Sequence, residues 1–516
     1  MNIPERKVIN LDKKTLKPVG EDDLNKSLFS YKEEDTTEKG IYNKENLSRI
    51  NKGLQAGYGI TPDSQNDGAS LRPESLDRQI KQVTWGTEDF TIYNDIARTP
   101  ANQTIVKYIV YYNHGDVGHR RFQQEIGLGN QTNPNLGQKT VNMKFLAAPF
   151  QTSMVLQTID TVEDPVAIQE MAAINVLAKT VEWAIFHGDA SLSKDSEGQN
   201  SGLEFDGLDR LIDPMNMIDR RGKGLTPALL NQAAVKIGKN GYGVATDAYM
   251  PIGVKADFIN KYLGAQRVLL PTQEGMQAGL TIDSFRSARG NIKLNGSTIM
   301  DIDNVLDEDV KPRPGAPLAP SLEAAAVEAQ GGKFLDKDIQ AHDGHTVIPA
   351  EVKKDLSYKA VAVGKEDSVP SDAVKAQVAA KDGGIKLTVT IDPMSQEAPD
   401  YVAIYRQSLV EGNDSYQLIA RIPASKMTAD GKITFTDIDE TIPGTTDVYV
   451  GEMNPQVINL FELLPMTKLN LATVTNATQA AVLFQGALRL SYPRRFVHIR
   501  NVAYSDGLDA TSFGSN

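Results

Sequence analysis

The sequence contains no cysteine and only two tryptophans among 516 residues. The absence of cysteine excludes disulfides, thiolate catalysis and cysteine-ligated zinc. No apolar run is long enough to span a bilayer, and residues 1–58 form a mixed-charge polar stretch that is unlike a signal peptide. We therefore expect neither a membrane segment nor a membrane partner.

Catalytic motifs are also missing. The sequence has no glycine-rich phosphate loop followed by Lys-Ser or Lys-Thr, no Gly-x-Ser-x-Gly and no His-Glu-x-x-His. His114, Asp116 and His119 are candidates for a metal site, as are His342 and His345, but ordinary loop polarity is the favoured interpretation of both groups. We predict no catalytic residue, no cofactor, no metal and no enzymatic activity.

The chain is acidic, with a formal net charge of −12. Wrapping a duplex requires clustered lysine and arginine, so we do not expect the chain to wrap a duplex, whereas enclosing nucleic acid without binding it tightly is compatible with this charge. The chain is 40% hydrophobic and 23% charged, which is ordinary globular composition, and its length predicts two or three domains.

Residues 164–190 predict one long, almost uncharged helix. Asp164 and Pro165 are a favoured N-cap and first residue, and Gly188 is expected to end the helix in a left-handed conformation. A helix that is apolar nearly all round must be covered on several sides. It is either an ordinary core helix or a rod that neighbouring subunits also cover. Its predicted buried stripe consists of Ala167, Met171, Ile174, Ala178, Val181 and Ile185.

Two β-rich runs, 104–112 and 139–146, flank a polar, glycine-rich connection. In the second run Val141, Met143 and Phe145 alternate with polar residues, which predicts one apolar face. A two-stranded ribbon of this kind is marginally stable alone. We expect it to lie on another surface.

The composition changes at 311, where prolines stiffen a linker that precedes an alanine-rich, weakly structured stretch. Seven short strands are predicted after it, which favours an antiparallel sandwich of immunoglobulin or fibronectin type III character. The predicted strands are 356–363, 373–379, 385–391, 401–406, 416–422, 432–436 and 448–451. Later strands at 457–464, 482–490 and 496–502 are expected to rejoin an earlier α+β domain, so that the sandwich is an insertion.

Several sequence runs resemble one known family. They are GYGITPDSQNDGASLRPESLDRQI from Gly57, HGDVGHRRF from His114, KTVEWAIFHGDASL from Lys179, GLEFDGLDRLID from Gly202, TDAYMPIGVKADFIN from Thr246 and VGEMNPQVINLFELLPM from Val450. The chain, over about residues 55–505, resembles the major capsid proteins of tailed bacteriophages, above all those of large contractile-tailed phages of Gram-positive bacteria. That fold is shared with the floor of the herpesvirus capsid.

The resemblance implies an α+β major capsid fold with an inserted all-β sandwich. Its implied parts are a polar tail at 1–56, an N-terminal arm at 57–100, an extended loop at 101–148, a peripheral domain at 149–224 and 476–516 with its spine helix at 164–190, an axial domain at 225–317 and 452–475, and the sandwich at 318–451. We hypothesise that the tail acts as a scaffold or is removed by a protease near residues 50–57.

The implied function is that of a structural subunit. Copies would form hexamers and pentamers of an icosahedral head that encloses double-stranded DNA without sequence-specific binding. Assembly would occur in the host bacterial cytoplasm with a portal, scaffold and maturation protease, and decoration proteins are further candidate partners. The candidate assembly contacts are Trp85, Tyr111, His119, Arg120, Arg121, Phe122, Met171, Trp183 and Phe186.

Two other structural functions stay open at this point. A surface adhesin or receptor-binding protein also carries immunoglobulin-like sandwiches, although usually in repeats or with a fibrous stretch. A phage tail-tube or sheath subunit is the second alternative, and electron microscopy separates it from a capsid protein because it forms tubes instead of closed shells.

Overall fold

A computed structural model gives the architecture of the chain. It describes residues 89–115, 125–126, 133–159, 164–192, 203–263, 282–301, 304–308, 310–311, 313, 316–328, 331–334, 355–364, 366–378, 383–392, 398–408, 415–428, 430–472 and 476–504. All of these residues lie in one of the two units into which the chain divides, residues 81–516. The predicted tail, and the arm as far as residue 88, lie outside the described residues.

The described residues combine helices and strands, as an α+β class predicts. The helices are α1 (Thr91–Asp95), α2 (Met154–Thr158), α3 (Pro165–His187), α4 (Leu208–Leu211), α5 (Pro227–Gly241) and α6 (Ile252–Leu263). The strands are β1 (Arg98–Pro100), β2 (Ile105–Asn113), β3 (Asn135–Asn142), β4 (Lys144–Ser153), β5 (Met217–Lys223), β6 (Asp247–Pro251), β7 (Ser284–Ser287), β8 (Gly290–Ser297), β9 (Ser321–Val327), β10 (Leu356–Val363), β11 (Val374–Ala376), β12 (Gly384–Thr390), β13 (Tyr401–Gln407), β14 (Tyr416–Pro423), β15 (Lys432–Asp437), β16 (Thr445–Gly451), β17 (Ile458–Asn470), β18 (Ala477–Leu490) and β19 (Phe496–Ala503). No helix among these residues is both long and apolar enough to cross a membrane.

The long helix α3 begins as the sequence predicts and ends differently. The Asp164 carboxylate accepts the Val166 amide hydrogen at 2.9 Å, and Pro165 is the first helical residue. The helix ends at His187, and Gly188 follows with φ −57° and ψ 141°, which is not the predicted left-handed conformation. Glycine is required there for space, because a Cβ would lie 2.3 Å from the Phe205 carbonyl oxygen.

A four-stranded sheet in the order β1-β17-β18-β4 lies beneath α3. The long strands β17 and β18 pair antiparallel, from Ile458 opposite Leu490 to Asn470 opposite Ala480. The predicted boundary between an axial segment ending at 475 and a peripheral segment starting at 476 therefore cuts through a hairpin. Alternation of apolar residues identified both strands but not their pairing with each other.

The six-stranded sheet has the order β5-β19-β16-β6-β8-β7. Leu230 and Ile237 of α5 share a buried cluster with Phe258 of α6 and with Val497 and Ile499 of β19. Strand β19 therefore packs with α5 and α6. The strand is predicted to belong to the peripheral domain, and the two helices are predicted to belong to the axial domain. The prediction fails here because successive strands, β18 and β19, enter different sheets.

Residues 321–437 contribute two antiparallel sheets, β11-β10-β13-β14 and β15-β12-β9, around one buried cluster. Six of the seven predicted strands are present there. The seventh, 448–451, was assigned wrongly, because β16 pairs with β6 and β19 in the six-stranded sheet. Its place is taken by β9, which is rich in alanine. Alanine has a low β propensity, so the sequence does not indicate this strand, and pairing with β12 stabilises it. The immunoglobulin or fibronectin character of this two-sheet segment stays a prediction.

Candidate assembly surfaces

The ribbon of β2 and β3 has one covered face and one exposed face. Strand β2 pairs antiparallel with β3 from Ile105 opposite Asn142 to Asn113 opposite Asn135. Val106 packs against the main core, and the Arg489 guanidinium lies over the Tyr108 ring at 5.6 Å. The ribbon therefore lies on a surface of its own chain, as expected of a marginally stable hairpin.

The opposite face of the ribbon is exposed to solvent and carries several apolar side chains. Ile109 is 73% exposed, and Ile105, Tyr111 and Leu136 on the same face are also among the exposed large hydrophobic residues. A soluble monomer seldom presents apolar side chains in such density, and patches of this kind mark interaction surfaces. Lys107, Gln138 and Thr140 lie among them on this face, so polar side chains interrupt the apolar patch.

The predicted continuation of the ribbon's apolar face does not reach Phe145. Strand β3 ends at Asn142, and β4 begins at Lys144, so the alternation changes phase at buried Met143. Phe145 is consequently 63% exposed. This residue adds to the exposed apolar surface instead of lying beside Met143.

The first half of α3 is exposed over much of its surface, and the second half is mostly buried. Ala167 is exposed and Met171 is 63% exposed, which corrects the predicted stripe, whereas Ala178, Val181 and Ile185 are buried as predicted. The exposed apolar surface extends along neighbouring elements of α2, α3 and the end of β17. Its large members are Met154, Val155, Leu156, Ile159, Ile168, Met171, Val176, Leu469 and Leu471.

The predicted contact residues fall into three groups. Trp85, His119, Arg120, Arg121 and Phe122 lie outside the described residues. Tyr111 and Met171 lie on the exposed surfaces, and the Tyr111 hydroxyl is 2.9 Å from His114 Nδ1. Asp116, the third member of the metal candidate at His114, also lies outside the described residues.

Phe186 and Trp183 contact their own chain. Phe186 is fully buried and stacks on Tyr449 with ring centroids 5.3 Å apart, so its prediction as a contact between copies is wrong. Trp183 is half-buried beneath Arg421 of β14, whose guanidinium carbon lies 4.8 Å from the ring centroid. An apolar helix of this length gives no sequence signal that separates its core residues from its exposed ones.

Arg421 also joins the two-sheet segment to the end of α3. Its Nη2 donates to the carbonyl oxygen of His187, and its Nη1 lies 4.0 Å from Glu204. A cation at the carboxyl end of a helix is favourable because the last carbonyl groups lack partners within the helix. This is one contact between the two-sheet segment and α3.

A buried polar cluster lies beside that contact. Asp209 Oδ2 is 2.7 Å from His187 Nδ1, and Asp209 Oδ1 accepts the Tyr449 hydroxyl at 2.5 Å. Burial opposes a charge on His187, but the Asp209 carboxylate outweighs it and raises the pKa of His187. Burial and then the same carboxylate raise the pKa of Tyr449 well above its usual range. No spacing in the sequence indicates this cluster, since Asp209 and Tyr449 are far apart along the chain.

Together, the exposed apolar side chains of the ribbon and of α3 indicate a protein that associates with other molecules. Residues 56–311 match the sequence profile of the family described as SU10 major capsid protein. The chain is 46% identical over 455 residues to the putative major capsid protein of Enterococcus phage phiEF24C, covering 88% of this chain and 94% of that protein. It is also 46% identical over 456 residues to the major capsid protein of Staphylococcus phage K, with the same coverage.

The chain therefore belongs to the family of phage major capsid proteins. This membership confirms the predicted fold class and the predicted function, a structural protein of the phage capsid. Among solved structures, the capsid of an empty GTA particle has a TM-score of 0.42 at 9% identity and covers 86% of this chain and all of that one. The capsid of Myoviridae phage XM1 has a TM-score of 0.40, with the same identity and coverage.

Proposed function

We propose that copies of this chain assemble into the hexamers and pentamers of an icosahedral phage head that encloses double-stranded DNA. The observation that carries the proposal is the outward face of the ribbon, where Ile105, Ile109 and Tyr111 of β2 are exposed on the same side of the strand. Exposed Lys107 lies between the first two. A neighbouring copy that covers this face would complete the packing that the chain begins.

The exposed first half of α3 supplies a second surface for such contacts. A ring closes when the ribbon of each copy covers a different surface, such as this helix, on the next copy, because heterologous contacts of one kind generate rotational symmetry. Fully burying a side chain such as Ile109 or Met171 stabilises by about 1.5–3 kcal/mol. Each contact is modest, and repetition around the ring and across the shell makes the assembly stable.

The remaining parts of the proposal follow from the sequence. The net charge of −12 favours a wall that surrounds DNA without binding its sequence. Residues 57–100 would form an arm that reaches a neighbour, and the segment at 318–451 would stand on the outer surface, where decoration proteins bind. A portal, a scaffold and a maturation protease would act during assembly in the host cytoplasm, and the chain itself would catalyse no reaction.

The mixed-charge tail is a separate part of the proposal. Residues 1–56 would serve as a scaffold or be removed near residues 50–57 during maturation, because composition changes abruptly at Gly57. Mass spectrometry of chains from filled heads tests removal. A chain that begins near residues 50–57 is expected, and a chain that retains Met1 contradicts removal.

Electron microscopy of the purified chain at high concentration tests assembly. Closed shells with sixfold and fivefold capsomers are expected. Tubes would instead support a tail-tube or sheath subunit, and a monomer at every concentration, with ribbon and helix sheltered within one chain, would contradict self-assembly.

A further inference from the structure

A cavity of about 400 Å³ lies where the end of α3 meets α4, β14, β16 and β19. Asp209 of α4, Asp447 of β16 and His498 of β19 lie on its wall. The three side chains offer ligand atoms that all lie within 4.8 Å of one another. Pairing of β16 with β19 brings Asp447 and His498 together. The short helix α4 adds Asp209.

His498 is the unusual member of this group. It is 2% exposed, yet neither of its ring nitrogens makes a hydrogen bond with the described residues. Its Nε2 lies 3.2 Å from Asp447 Oδ2 and 3.4 Å from Asp209 Oδ1, but neither contact has hydrogen-bond geometry. A buried polar nitrogen without a partner is costly, so this arrangement calls for an occupant of the space between the three side chains.

We propose that Asp209, Asp447 and His498 bind a divalent transition-metal ion of the zinc type. Two ligands that each lie about 2.1 Å from a tetrahedral ion are separated by about 3.4 Å. The separations of 3.2 and 3.4 Å from Nε2 to the two carboxylates fit that spacing. One imidazole nitrogen and two carboxylate oxygens form a donor set that zinc and cobalt accept, and a water molecule in the cavity would be the fourth ligand.

The surroundings orient the proposed ligands. His187 Nδ1 and the Tyr449 hydroxyl bind the two oxygens of Asp209, and the Tyr449 ring stacks on His498 with centroids 4.7 Å apart. Partners of this kind fix the direction of metal ligands in proteins. Arg500, also on the cavity wall, donates to Glu440 at 2.8 Å and to Thr441 at 3.2 Å, so that both terminal nitrogens of its guanidinium have other partners.

The ion would have a structural role. It would link the helix that follows the spine to two strands of the six-stranded sheet, close to the place where Arg421 attaches the two-sheet segment. Because an ion that binds only the folded state stabilises that state by mass action, the thermal midpoint should rise with metal concentration. No metal is predicted from the sequence, because Asp209 is far along the chain from Asp447 and His498.

The test uses the full-length chain, treated with a chelator and dialysed. Titration with Co²⁺ should produce the visible absorption of a tetrahedral nitrogen and oxygen site, saturating at one equivalent per chain, and Zn²⁺ should abolish this absorption by displacing Co²⁺. The thermal midpoint should rise with Zn²⁺. The Asp447→Asn variant, which keeps the shape of the side chain, should lose the absorption and the thermal shift, whereas the Asp430→Asn variant, which removes an exposed carboxylate elsewhere, should retain both.

An unchanged absorption spectrum and thermal midpoint in the wild-type chain would overturn the proposal without any variant. Retention of the full signal by folded Asp447→Asn would overturn it too, because the ion would then be bound elsewhere. Shell formation is scored separately by microscopy on the same samples. A chain that assembles but binds no metal would refute this site while leaving the capsid function intact.

Discussion

The carboxylate of Glu182 accepts the backbone amide hydrogen of Tyr93 at 2.7 Å. It also accepts the amide hydrogens of Thr91 and Ile92 and the hydroxyl hydrogen of Thr91, at 3.0–3.2 Å. Glu182 is fully buried in the middle of an apolar helix, where a carboxylate without partners would be costly. The amide hydrogens in the first turn of α1 have no acceptor within that helix, and the Glu182 carboxylate accepts them. Glu182 thereby attaches residues 89–96 to α3.

Replacing Glu182 with alanine should lower the free energy of unfolding by about 3 kcal/mol, because several buried donors lose their acceptor at once. Chemical denaturation of the unassembled chain measures the change. Glu170→Ala is the matched control on the same helix, since Glu170 is partly exposed and pairs with Lys468 at 2.6 Å. The control should lose less than about 1 kcal/mol. Equal losses in the two variants would refute the anchoring role of Glu182.

Replacing Gly188 with alanine should destabilise the chain by about 3 kcal/mol, since the added Cβ would overlap the carbonyl oxygens of Phe205 and Ala184 at 2.3 and 2.6 Å. Gly364→Ala is the control, because its Cβ would meet its nearest neighbour at 3.5 Å. The thermal midpoints of both variants measure the loss of stability. A midpoint of Gly188→Ala equal to that of Gly364→Ala would mean that the helix end relaxes freely.

Replacing Arg406 with methionine should cost about 3–5 kcal/mol, because two buried carboxylates would lose the cation that they share. Asp439 would keep only its ion pair with Arg221, at 2.9 Å. Arg406 is 1% exposed and lies 2.7 Å from Asp437 and 2.6 Å from Asp439. Arg313→Met, at an exposed pair with Glu366, is the control and should change little. Hydrogen–deuterium exchange of peptides from β10 and β13 during denaturation measures the change within the two-sheet segment, where the Tyr358 hydroxyl also donates to Asp437. A stable Arg406→Met variant would contradict the prediction.

Replacing Ile109 with glutamate should leave the single chain about as stable as before and should prevent shell formation. The side chain is 73% exposed in one chain, so the expected change in unfolding free energy is within about 0.5 kcal/mol. Sedimentation and electron microscopy measure the yield of shells. Met427→Glu, on an exposed turn of the two-sheet segment, should assemble normally. Wild-type yields from Ile109→Glu would exclude the ribbon face from the contacts.

Local sequence signals predicted local structure well. Asp164, Pro165 and Gly188 bounded the spine helix to within three residues, because capping depends on neighbours along the chain. Alternation located six strands of the two-sheet segment for the same reason. Strand β9 was missed, since alanine carries little β signal and only pairing with β12 makes it a strand.

Long-range relationships could not be predicted in this way. The partition of β17, β18 and β19 between two sheets depends on pairing with strands hundreds of residues earlier. Likewise, the sequence alone gives no sign that Glu182 is buried, because its partners lie in α1, about 90 residues earlier. The cluster of Asp209, Asp447 and His498 is assembled by the fold alone, so no spacing in the sequence reveals it.

The chain leaves the six-stranded sheet after Ser297 and returns to it at Thr445, with β6 between the strands of departure and return. The register of that sheet is set by hydrogen bonds between its own strands. The pairing therefore does not depend on the length of the segment between Ser297 and Thr445. The sheet would therefore accommodate a segment of another length between these two strands. A replacement has to preserve a cation where Arg421 meets the last carbonyl group of the spine helix.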